Sequence, residues 1–147
     1  MKNRAIILAL FSGTMMLSAC GGIPSAQNHP LTRLPMGVGF GISDVLCKDV
    51  KDVSIPKRLQ ELDIPFEWTD EIEGLLSVGP ITEESGSGYS RIRQTYFLKI
   101  VCYDELSTDI SGEIILEGLD DDNKWVQISD VQIVEDVAPK FLRSLDL

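Results

Sequence analysis

Three thiols, one imidazole and a surplus of carboxylates are the side chains in this sequence that could carry chemistry. A cysteine thiolate is the strongest nucleophile among them, and a thiol can also pair into a disulfide or bind a soft metal. Cys20 ends the run Leu17-Ser18-Ala19, close to the chain start, whereas Cys47 and Cys102 lie far apart in the body of the sequence. The one histidine, His29, stands beside Pro30 in a stretch of glycine, proline and small polar residues, where nothing fixes its geometry. That placement argues against a Ser-His or Cys-His nucleophilic pair, and against a histidine metal site. The chain reads as non-catalytic, with no cofactor and no metal ligand set.

Three further constellations have plainer readings. Ser54-Ile55-Pro56-Lys57 matches the S-x-x-K spacing of penicillin-recognising serine enzymes, but the other motifs of those larger proteins are missing. Ser54 as a helix cap accounts for it. The turn Asp120-Asp121-Asp122-Asn123 offers oxygen ligands for a hard cation, yet lacks the glycine and distant glutamate of an EF-hand loop. It reads as a solvated hairpin turn. Tyr89, Arg91, Arg93, Thr95, Phe97 and Lys99 stand at alternate positions and would share one face of a strand. Tyrosine and arginine are frequent binding anchors, which makes Tyr89, Arg91 and Arg93 weak candidates for ligand or partner binding. The plainer alternative is a solvent-facing strand whose arginines pair with nearby acids.

The start of the chain has the layout of a secretory signal: Lys2 and Arg4, an apolar run from Ala5 to Met16, then small residues before Cys20. The run is broken by Ser12-Gly13-Thr14 and is too short to cross about 30 Å of hydrocarbon as a helix. Leu17-Ser18-Ala19-Cys20 resembles the lipobox of bacterial lipoproteins. That resemblance implies removal of residues 1–19 as a signal peptide, and attachment of diacylglyceryl and fatty-acyl chains such as palmitate at Cys20. Each buried methylene contributes about 0.8 kcal/mol, so two or three chains hold firmly. With glycine rather than aspartate at position 21, the resemblance also implies the outer membrane, periplasmic face, over the inner membrane. In an oxidising compartment the remaining Cys47 and Cys102 form an even pair, and a disulfide between them is expected. Two buried free thiols are the alternative. No residue motif assigns the rest of the chain to a specific family.

The 147 residues carry 23 acids against 13 bases, a formal net charge of -10. Residues 1–19 contain Lys2 and Arg4 and no acid, so their removal takes the charge from -10 to -12. This balance argues against nucleic acid, whose affinity comes from neutralised phosphates, and against attraction to an anionic bilayer surface. A cationic protein partner suits it better, although plain solubility explains it too.

The elements that would position these groups follow from periodicity. Residues 20–38 read as lipidated cysteine and flexible tether, spanning about 20–25 Å root mean square, and 39–147 as one globular domain. Ser43-Asp44 would cap a helix that buries Val45, Leu46, Val50 and Val53. Ser54 would cap a second, with Pro56 in its first turn and Leu59 and Leu62 facing inward. From Phe66 the period becomes two. One strand is predicted to Pro80 (Trp68, Ile72, Leu76, Val78 on one face), then Tyr89–Tyr103 and Ile110–Leu119, and finally Trp125–Val134 with a bulge at Ser129-Asp130. Residues 139–147 would make a short helical turn. The expected fold is α+β, with one or two N-terminal helices packed on a roughly four-stranded antiparallel meander.

On this reading the protein is a membrane-anchored periplasmic lipoprotein with an envelope protein partner, acting as a non-catalytic binding or assembly module. The alternative is a periplasmic inhibitor or immunity protein that captures a cationic lytic enzyme or toxin.

Overall fold

The computed structural model describes residues 31–147; the box Leu17–Cys20 and His29 lie outside them. The fold is α+β. Four antiparallel strands form a meander in the order β3 (Phe66–Asp70), β4 (Leu75–Glu84), β5 (Arg91–Asp104) and β6 (Ser107–Leu119). Three short strands then share the outer edge of β6: β2 (Phe40–Ser43), β1 (Leu34–Pro35) and β7 (Trp125–Gln127). They pair through Phe40 with Ile110, Leu34 with Ile114 and Val126 with Gly118. The sheet therefore has seven strands rather than the four expected.

One of the three added strands comes from splitting the expected Phe66–Pro80 strand into the β3–β4 hairpin. Gly74, at φ 70°, packs so closely that a Cβ there would sit 2.2 Å from the carbonyl oxygen of Ile100. Asp70 Oδ1 accepts from the Glu73 amide at 3.0 Å, and Ile72 is left 92% exposed in the turn. A hairpin sets paired residues on one face, here Trp68 opposite Leu76 and Phe66 opposite Val78, so the alternation runs through the turn unbroken.

The expected tether also contributes strand. Met36, placed by the sequence reading within the 20–38 leash, is fully buried and donates its amide to Gly112 at 3.1 Å. Gln127 holds the backbone of Thr32 like a peptide unit, its Oε1 accepting at 3.0 Å and its Nε2 donating at 2.6 Å. The folded part thus begins before residue 39.

The first helical segment is one continuous run: α1 (Cys47–Asp49), a π-helical turn (Val50–Ser54) and α2 (Ile55–Glu61). Ser43 instead ends β2, and Asp44 turns the chain at φ 65°. Of Val45, Leu46, Val50 and Val53 only Val50 is buried: Val45 and Leu46 precede the helix, and the π turn carries the buried face from Val50 to Ile55 and Leu59, leaving Val53 outside. Ser54 lies inside the run and caps nothing with its side chain.

The C-terminal segment departs furthest from expectation. In place of a bulge at Ser129-Asp130, Asp130 caps the helix α3 (Val131–Ser144), its Oδ1 accepting from the Gln132 amide at 2.9 Å. Val134, Val137, Ala138, Phe141, Leu142 and Leu145 are buried at helical spacing. Pro139 sits within this helix, and the Glu135 residue four positions before it is exposed, so its orphaned carbonyl can meet water. Asp130→Ala should cost about 1 kcal/mol, read by urea denaturation of the full chain.

Both helical segments cover one face of the sheet and share one core with it. The Arg58 Nε donates to the Ser144 carbonyl at 2.9 Å, joining α2 to the end of α3. The Tyr96 and Phe141 rings stack with centroids 3.9 Å apart. Among the described residues no helix lies over the opposite face of the sheet.

Candidate functional site on the open sheet face

Alternation along β5 puts Ile92, Gln94, Tyr96, Leu98 and Ile100 into the core and leaves Arg91, Arg93, Thr95, Phe97 and Lys99 on the open face. The shared face expected from the sequence is therefore present from Arg91 to Lys99, whereas Tyr89 precedes β5 and packs against the core beside Gly118. Its members have different partners. Arg93 stands opposite Glu117 of β6 and binds it with both prongs, Nε to Oε2 and Nη2 to Oε1, each at 2.8 Å. Its guanidinium carbon also lies 4.4 Å from the Trp125 ring centroid. The hydrogen bond that Arg93 donates to Glu117 holds the Arg93 pKa above its usual value against the opposing effect of burial. Tyr89 lies flat on Gly118, where a Cβ would come within 2.3 Å of its ring. Arg91 is exposed and has no ion pair among the described residues.

Arg93 is thus committed to a carboxylate and Tyr89 to packing, while Arg91 keeps its charge available. Arg93→Met should lower stability by about 1–2 kcal/mol, because it strands the Glu117 carboxylate against Trp125. Arg91→Ala should change it by less than about 0.5 kcal/mol. Denaturation midpoints of the two variants separate these roles.

One cation on this face is not visible in the β5 pattern. Arg33, assigned to the tether by the sequence reading, lies with its guanidinium carbon 3.6 Å from the Phe97 ring centroid. It also reaches Glu113 at 3.7 Å. Together with Leu75, Lys99 and Ser111 these residues line a shallow cavity of about 360 Å³. No local signal marks Arg33, since its place depends on β1 pairing with a strand some eighty residues later.

The other sequence candidates resolve as structural. Cys47 and Cys102 are joined in a disulfide with Cα atoms 5.7 Å apart, tying α1 to β5. Asp120 Oδ1 accepts from the amides of Asp122 at 3.0 Å and Lys124 at 2.8 Å, so this carboxylate closes the turn on itself. Lys57 lies on the exposed side of α2, 3.9 Å from Glu61, where i,i+4 spacing places such a pair.

On the helix-covered side of β5 a polar chain runs from the buried Tyr96 and Gln94 to the exposed Glu83. The Tyr96 hydroxyl donates to Gln94 Oε1, and Gln94 Nε2 donates to Glu83 Oε2 at 3.1 Å. Burial, and then the Glu83 charge, push the Tyr96 phenol far above its ordinary range. Because the folded state keeps this proton while the unfolded chain releases it near pH 10, Tyr96 stabilises fully below that pH. Above it, stability should fall by about 1.4 kcal/mol per pH unit from this group alone. Tyr96→Phe should flatten that alkaline limb in a series of denaturation curves.

Chemically, the open face offers fixed aromatic surface, a neutralised arginine and the available cations of Arg91 and Lys99. These suit stacking and ion pairing with a partner. Comparison with protein-family models and with curated proteins gave no match to this chain.

Proposed function

We propose that this is a lipid-anchored protein of the bacterial envelope, whose domain serves as a non-catalytic binding or assembly module. Residues 1–19 act as the export signal, and Cys20 carries the lipid. The observation that carries the reading is the Cys47–Cys102 bridge. A stable structural disulfide belongs to an oxidising compartment, which is where a lipobox delivers a chain. The uncovered sheet face, with aromatic and guanidinium groups held in place, supports binding as the domain's role.

Cys20→Ser should abolish labelling by palmitate and leave residues 1–19 attached, with the domain still folded. Continued labelling, or a chain still cut before position 20, would refute the anchor. The net acidity of the chain supports a second reading, capture of a cationic lytic enzyme or toxin, which the same envelope location would permit.

A further inference from the structure

We infer that the end of the domain formed by the disulfide, the β5–β6 turn and the loop before α1 is the docking surface for a cationic, partly apolar protein of the envelope. This deepens the binding-module reading and rests on it. The Asp44 amide donates to the Leu106 carbonyl at 3.1 Å, and the Cys47 amide to the Glu105 carbonyl at 2.8 Å. These bonds bring two short segments side by side. Val45, Leu46, Tyr103 and Leu106, all large and apolar, are 42%, 46%, 72% and 50% exposed there. Four such side chains on adjoining segments at one end of a small domain form a patch rather than scattered surface residues.

Leu46 of this patch also lines a depression of about 520 Å³, together with Lys48, Asp49, Asp104, Glu105 and the two bridged cysteines. With Asp44, four carboxylates stand around it against Lys48. None of the four lies within ion-pair distance of a basic side chain among the described residues. Exposed apolar side chains beside carboxylates without ion pairs are complementary to basic residues flanking an apolar or aromatic anchor. A second copy of this chain would bring like charges together, and an anionic bilayer would be repelled for the same reason.

Placement fits this role. The described chain enters at Thr32, which Gln127 clamps beside Glu117, while the tip lies at the Ser107 end of the same strand. Ten residue steps along an antiparallel strand span about 30 Å, so the patch faces away from the point where the N-terminal segment leaves. The disulfide pins both segments of the patch, which reduces the ordering cost of docking.

The test places a photoreactive benzophenone side chain at Tyr103 and, in a separate strain, at Ile115 on the open face, each in the full-length protein in intact cells. The expected result is a Tyr103 adduct with one envelope protein of basic isoelectric point, identified by mass spectrometry. Asp104→Asn with Glu105→Gln should reduce its yield at least about fivefold, while membrane level and disulfide content stay unchanged. An adduct only from Ile115 overturns the surface assignment and leaves the binding-module reading standing. Adducts with a second copy or an acidic protein, or a yield indifferent to the charge change, also overturn it. Adducts from neither position overturn both.

Discussion

Phe141→Ala should destabilise the domain by about 3–5 kcal/mol, the largest single-residue effect expected outside the cysteines. The ring is 6% exposed and lies nearly parallel to Tyr96, at 14°, over the centre of β5. Truncation removes the main contact between α3 and the sheet and opens a void beside the Tyr96–Gln94–Glu83 chain, where polar groups would meet a poorly filled space. Urea denaturation of wild type and variant measures the difference directly. A loss below about 1 kcal/mol would mean that α3 does not rely on this stack to dock.

Replacing both Cys47 and Cys102 by serine should cost about 2–4 kcal/mol. The bridge closes a loop of 55 residues, and its removal restores that freedom to the unfolded chain. Against a total stability of about 5–15 kcal/mol typical of such domains this is a large share, and the melting temperature should fall by about 10–15 °C. The bridge also holds α1 against β5, so its loss should loosen the tip around Leu46 and Leu106 before the rest of the sheet. Hydrogen exchange would show this as faster exchange at Asp44 and Leu106 than at Leu98 or Ile114, since local opening requires less free energy than global unfolding. Equal stability of the reduced and oxidised proteins would contradict this role.

The alternation of β5 and β6 could be read directly from sequence because each strand buries one face against the helices, and burial writes a period of two. The cysteine pairing was legible because, with Cys20 read as the lipid-attachment residue, Cys47 and Cys102 remain as an even pair. The β3–β4 hairpin was not, because its turn preserves the parity of Trp68 and Leu76. Helix α3 was hidden by Pro139, which argues locally against a helix, although the packing of Val134, Ala138 and Phe141 outweighs that cost. Strand β1 and the place of Arg33 depend on tertiary pairing with β6, and a segment rich in proline and glycine gives no local sign of it. Tyr89, Arg91 and Arg93 were identified from type and spacing, but only their neighbours in space separate the available charge of Arg91 from the Arg93–Glu117 pair.

Mass spectrometry of the protein purified from membranes tests the central claim most directly. A lipid-anchored, disulfide-stabilised envelope domain requires a mature chain that begins at Cys20, carries acyl mass on that residue, and yields a non-reduced peptide linking Cys47 to Cys102. A chain that retains residues 1–19 without lipid, or that has both remaining thiols free, would contradict it.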